Sequence, residues 1–243
     1  MDDFGFSLHV RLLPFLDGDN TYRRIKLGQF YSSSDNRRVT RHDQSVFYCA
    51  SNPDSSPAES HDYTNYVGSA GGGDVRVQNG MFVNLALNGI VTGGSISDGR
   101  SNTVAMSEAI TYPQAFPGVE LKGKGAVLET ATRFILPASH EDFVQACIAR
   151  QGIPTNHSLG VDWMAGSIAY TRFIHILPPN SQNCRNQMLV DVGLYAPSSF
   201  HAGGVNALFA DNSIRFVEQS ISRKIWEKYG TRAAGNEPSL AIP

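Results

Sequence analysis

Polar and apolar residues alternate most cleanly near the C-terminal end of the chain. Val205 to Ala210 and Ser213 to Val217 each show a period of two and flank Asp211-Asn212, a pair suited to the left-handed dihedrals of a tight type I′ turn. The pattern predicts a β-hairpin with Phe209 opposite Ile214 and Ala207 opposite Phe216. Val205, Ala207, Phe209, Ile214 and Phe216 would then share the buried side, leaving Asn206, Leu208, Arg215 and Val217 on a wetter one. A helix is expected next, with Ser220 or Ser222 as its cap, Ile225 and Trp226 as its apolar contact and Gly230 as its stop.

Upstream the pattern is weaker. Leu8, Leu12, Phe15 and Leu16 recur at helical spacing and are expected to pack as core, with Pro14 shortening or kinking the helix. Residues 30–44 are polar and charged and read as an exposed loop, Val46 to Cys49 as a short strand, and residues 51–62 as another loop. Asn102 to Ile110 reads as a strand with Val104 and Met106 on one side. Ser139 and Asp142 predict the start of a helix whose buried face holds Phe143, Val144, Cys147 and Ile148 and which ends at Gly152. Trp163 to Ile176 has strand-like content, broken at Gly166 and stopped by Pro178-Pro179. Strands with a few helices and no βαβ rhythm indicate an α+β fold, an antiparallel β-sheet with segregated helices. No linker or repeat divides the 243 residues, so a single domain is expected.

Composition narrows the function classes. Charged residues are 17% of the chain and the net charge is −2, so there is no basic field for a phosphate backbone and nucleic acid is not an expected partner. The 7 histidines lack any HExxH or His-x-His spacing, and there is no G-x-S-x-G elbow. His201 and Asp211 suggest an acid and base pair, but a strand across residues 203–210 would hold them roughly 25 to 30 Å apart. Gly71-Gly72-Gly73 lacks the lysine of a phosphate cradle and reads as a flexible turn. Asp98, Ser101, Asn102 and Glu108 gather oxygen donors suited to calcium, though with few carboxylates. The 3 cysteines, Cys49, Cys147 and Cys184, have no CxxC spacing.

His201, nine residues, then Asp211-Asn212 resembles the H-x9-DG signature that closes a bacterial pilin-like group, the domain of unknown function 1559 family. Further blocks follow the family order: Leu12-Leu13-Pro14-Phe15-Leu16; Val46-Phe47-Tyr48-Cys49 with Ser51-Asn52-Pro53; Thr64-Asn65-Tyr66-Val67-Gly68; and Asn79-Gly80-Met81-Phe82. Ile96 to Thr103 with the trailing Glu108, Leu177 to Ser181 with Cys184, and Gly230 to Gly235 complete the series. Asn212 stands where the family has glycine, a mild departure because asparagine tolerates positive φ. Family members open with a prepilin leader and an apolar helix of about 20 residues, whereas this chain opens MDDFGFSLHV. Two histories fit: a soluble head whose anchor was removed or missed at the gene start, or a paralogue that never had one.

The resemblance implies a pilin-like or pseudopilin-like globular head with long loops, non-enzymatic, at the cell envelope outside the cytoplasm. Its partners would be other pilin-like subunits or secretion-system components, with the membrane reached only through an N-terminal helix this chain does not carry. It also implies a Cys147–Cys184 disulfide, which would stabilise the fold by about 4 kcal/mol and leave Cys49 as a buried thiol. No cofactor is expected, calcium at the four residues above being the alternative. Two other functions stay open: an extracytoplasmic glycan or small-ligand binder using loops rich in Asn, Tyr and Trp163, and a metal-assisted hydrolase using His201 with acids from several loops.

Overall fold

The computed structural model describes residues 5–40, 44–52, 62–74, 78–83, 90–111, 125–130, 140–186 and 189–234. Helix α1, Leu8–Leu12, starts at Ser7, whose hydroxyl accepts the His9 amide. Pro14 has no amide hydrogen to continue it, and the chain tightens into a 3-10 turn over Leu13–Phe15. The kink is as expected, but the buried face is not. Phe6, Val10 and Leu13 are buried while Phe15 and Leu16 are exposed, because the tighter turn rotates each residue further than an α-helix does.

Helix α2, Asp19–Tyr22, is followed by α3, Ser34–Thr40, inside the stretch expected to be a loop. The organiser of α3 is a buried amide. Asn36 accepts the Lys26 amide at 2.8 Å and donates to the carbonyls of Phe30 and Lys26, a device that no apolar period reveals. Ser45–Phe47 is a 3-10 turn and not the start of a strand. Phe6, Val10, Leu13, Ile25, Val39 and Phe47 close over Trp163 and Met164 as one apolar cluster. Trp163 is fully buried, with its indole donating to the Thr40 carbonyl, so it is no exposed platform for a sugar. The strand expected over Trp163 to Ile176 shrinks to its last residues, since Asp162 to Thr171 folds into turns held by side-chain and backbone hydrogen bonds.

The strands are β1 Tyr66–Gly72, β2 Val104–Glu108, β3 Ala126–Thr130, β4 Ile153–Ser158, β5 Arg172–His175, β6 Asn183–Asn186, β7 Leu189–Leu194, β8 Gly204–Phe209 and β9 Ile214–Glu218. They form a five-stranded sheet, β5-β1-β2-β8-β9, and a four-stranded one, β4-β3-β6-β7. Helix α4, His140–Ile148, and helix α5, Arg223–Gly230, complete an α+β fold. Both sheets are mixed where antiparallel pairing alone was expected: β1 runs parallel to β5, and β3 to β6. Each parallel pair joins strands far apart in sequence, with ample chain for a crossover.

One buried cluster draws Val67, Val104, Phe173 and Val205 from the first sheet, Val127 and Leu194 from the second, Phe143 from α4 and Trp226 from α5. The disulfide Cys147–Cys184, with Cα atoms 5.8 Å apart, ties α4 to β6. Ile148, expected on the buried face of α4, is exposed. The helix ends there and not at Gly152, with Arg150 turning left-handed at φ 53. Ser139 lies outside the described residues. Gly71 and Gly72 belong to β1 and not to a turn, and both are closely covered: a side chain on Gly71 would run into Asn79, and one on Gly72 into the Glu227 carbonyl of α5. Ser222 caps α5, and Trp226 is its apolar anchor, stacking on Phe173 and lying 4.0 Å from the His175 ring, whereas Ile225 faces out.

The C-terminal hairpin forms, with its register one residue away from the expected one. The Asp211 carboxylate accepts the amide and hydroxyl of Ser213, and only Asn212 takes positive φ, at 67. The corner is therefore a three-residue loop, Ala210 to Asn212, not a type I′ turn. Leu208 pairs with Ile214, Asn206 with Phe216 and Val205 with Val217. The slip flips the whole of β9: Val217 is buried, while Ile214 and Phe216 are 71% and 48% exposed. A second irregularity, between Val104 and Met106 of β2, separates those two residues onto different faces.

Two outcomes test this packing. Val217→Ala is expected to cost about 2 kcal/mol and Ile214→Ala within about 0.5 kcal/mol in chemical denaturation; equal costs would contradict the observed register. His9 and His175 are fully buried, and burial lowers their pKa values to about 4 and about 3. The unfolded chain takes up those protons near the ordinary value of about 6.5. Stability should therefore be full above pH 6.5 and fall as the pH drops towards 4, by up to about 1.4 kcal/mol per pH unit for each histidine. His175→Gln should flatten that slope by one histidine's share, and an unchanged slope in urea unfolding between pH 7 and 4.5 would refute it.

Candidate functional site

Register places four side chains in one row across the five-stranded sheet. Tyr66 of β1 pairs with Glu108 of β2, the next step of the β2–β8 register sets Glu108 against Asn206, and Asn206 pairs with Phe216 of β9. Glu108 sits in the middle with its side chain only 7% exposed. A buried carboxylate there needs hydrogen-bond partners. Its Oε2 accepts the Asn206 amide at 2.7 Å, and its Oε1 accepts the Asn206 side-chain amide at 3.1 Å and faces His201 Nε2 at 3.0 Å.

His201 reaches this position from the loop before β8. Ser199 accepts the His201 amide and donates to the Gly204 carbonyl, while Asn180 accepts the Ser199 amide. Ser198 donates its amide to the Glu108 carbonyl, and its hydroxyl accepts the Ile110 amide, so the loop is pinned to the end of β2. Cys49 arrives from the other side. Its amide is held by the Asn65 side chain, which also donates to the Ala109 carbonyl. The ligand-type atoms of Cys49, Glu108 and His201 all lie within 4.8 Å of one another. Tyr66 closes the group through a hydrogen bond with Cys49; burial first, then the neighbouring Cys49 and Glu108, push its hydroxyl above the ordinary tyrosine pKa.

This pairing was absent from the expectations, although each member had been singled out. His201 is separated from Asp211, as the strand length implies: Asp211 sits at the hairpin corner, held by Ser213 and Arg215, and those hydrogen bonds lower its pKa. The acid that His201 meets is Glu108, 93 residues upstream. Cys49, expected as a buried leftover thiol, is half-buried and faces the same pair. Their order in the chain gives no local spacing to read; the one available signal is that each belongs to a different block of the family pattern.

The four calcium candidates do not converge. Asp98 accepts the Thr231 hydroxyl at 2.7 Å and the Ala234 amide at 2.8 Å, and Asn102 donates to the Asp98 carbonyl. The Ser101 carbonyl accepts the Arg215 guanidinium, so a side-chain cation already stands there. Glu108 lies a strand's length away at the far end of β2. Among the described residues the set that could hold a metal is Cys49, Glu108 and His201.

Removing the Glu108 carboxylate strands a buried amide and amide side chain. Glu108→Ala is expected to cost about 2 to 3 kcal/mol, and His201→Ala clearly less because His201 is partly solvated; thermal unfolding of the two variants checks the order. A Glu108→Ala protein as stable as the wild type would show that the carboxylate has no structural role.

No curated protein and no solved structure matches the chain. Over residues 2–224 the sequence matches the family described as Protein of unknown function (DUF1559). Blocks scattered along the sequence supply Cys49, Glu108 and His201 at one point and Asp98 and Thr231 at another, while Leu13 of the first block packs in the Trp163 cluster. The chain belongs to the DUF1559 family.

Proposed function

We propose that this chain is the non-enzymatic globular head of a pilin-like or pseudopilin-like subunit, acting by assembly at the cell envelope on the extracytoplasmic side. The observation that carries this reading is the outward face of the five-stranded sheet. Met106, Leu208 and Ile214 align across β2, β8 and β9, and Phe216 follows Ile214 along β9. Ile214 and Phe216 are exposed, and β9 is an edge of the sheet. An apolar row at a sheet edge is a surface that a protein partner would cover.

Two further features support it. The Cys147–Cys184 disulfide suits an oxidising compartment. The Glu108 carboxylate is engaged by three hydrogen bonds, which suits a scaffold better than a free base. No helix among the described residues is long and apolar enough to cross a membrane, so anchoring would fall to another segment or to a partner.

The test is the gene expressed from its own locus, with antibody labelling of fractionated envelopes and electron microscopy. The protein is expected in envelope-associated assemblies, and Ile214→Asp with Phe216→Ser, both on the surface, should release it at least tenfold. Recovery of the wild-type protein as a cytosolic monomer would overturn the proposal.

A further inference from the structure

Cys49, Glu108 and His201 bring a thiol, a carboxylate and an imidazole to one point, each from a different part of the chain. These are the three ligand types of zinc sites. Bond lengths of about 2.3 Å to sulfur and 2.0 to 2.2 Å to nitrogen and oxygen put tetrahedral neighbours about 3.3 to 3.6 Å apart. His201 Nε2 and Glu108 Oε1 already stand at 3.0 Å, and the whole set spans no more than 4.8 Å. Small rotamer shifts would close the triangle round an ion.

The surroundings are organised as they are around metal ligands. Glu108 keeps its Oε2 on the Asn206 backbone amide, while its Oε1 accepts the Asn206 side-chain amide and faces His201. Asn65 fixes the backbone of Cys49, and Ser199 fixes that of His201, so the ligands are held by a second layer of hydrogen bonds. His201 keeps 31% of its side chain exposed, which gives an ion a way in. Burial of Glu108 makes bare access by bulk anions unfavourable and a cation welcome.

We propose that Cys49, Glu108 and His201 form a binding site for a borderline divalent cation, zinc above all, with three protein ligands and a fourth position taken by water. Binding replaces the thiol proton of Cys49, which leaves to solvent, with the Cys49–metal bond. On binding, the ring proton that His201 Nε2 shares with Glu108 is given up to solvent and Nδ1 carries the proton of the neutral ring, so the Nε2–Oε1 hydrogen bond is exchanged for one bond from each atom to the ion. Nothing is oxidised or reduced. Ile214 and Phe216 of the assembly surface are not ligands of the site, so metal binding and assembly are read by separate experiments and either can fail alone.

The probe is Co²⁺ alone, then Zn²⁺, added to the full chain with its Cys147–Cys184 disulfide intact. Cobalt is expected to bind once per chain with a near-ultraviolet thiolate charge-transfer band, and zinc to displace it. Cys49→Ser should abolish the band, and His201→Ala should weaken binding at least tenfold, with circular dichroism confirming that both variants fold. On the wild-type protein, needing no variant, zinc should slow alkylation of Cys49 at least tenfold. Absence of the band together with an unchanged alkylation rate would overturn the proposal, and so would cobalt binding that survives both substitutions unaltered.

Discussion

A carboxylate in the middle of a sheet is the constraint on which this architecture turns. Glu108 ends β2 almost out of water, and its charge is tolerable only if donors come to it. They come from β8, through both amides of Asn206, and from the loop ahead of β8, through His201. The C-terminal hairpin is thereby registered against β2 by a polar clamp as well as by its backbone ladder. A shift of β8 by one residue would carry Asn206 to the other face and leave the charge unpaired.

The same logic recurs at other joints. Asp98 gathers the chain after α5 through Thr231 and Ala234. Arg232 reaches back to the Gly80 carbonyl, and Asn79 in turn holds Gly72 at the end of β1. Asn180, left-handed at φ 63, binds the Gly204 carbonyl and Gln219. Short polar side chains thus satisfy backbone groups where segments distant in sequence meet, which buried backbone requires. That is a physical reason for a family pattern written in Asn, Asp, Gly, Ser and Thr. Such residues mark joints, and the pattern says little about catalysis.

Clamp and outward apolar face lie on one side of the five-stranded sheet. The row Tyr66, Glu108, Asn206, Phe216 runs beside the row Met106, Leu208, Ile214. The far end of that face is covered at Gly68 by Leu8 and Phe82. A cation at Cys49, Glu108 and His201 would stiffen the hairpin that presents Ile214 and Phe216, so the two proposals share a scaffold while resting on separate atoms.

Much was legible from residues alone. The hairpin, the helix after it with Ser222 and Trp226, the core of α4 and the α+β class follow from periodicity, caps and turn residues, which act over a few positions. Block order along the chain identified the family and implied the Cys147–Cys184 bond. What failed depended on longer range or finer balance. Asp211 chose to hold Ser213, making the corner one residue longer and exchanging Val217 for Ile214 in the core. Asn36 built a helix in a polar stretch, and crossovers made both sheets mixed. The sequence by itself determined the C-terminal hairpin and its helix, the helix that carries Cys147, the family and the separation of His201 from Asp211, because strand rise, side-chain period and caps are local properties. Only the tertiary structure decided that His201 would meet Glu108 and Cys49, because that meeting depends on which strands become neighbours, and no local spacing encodes it.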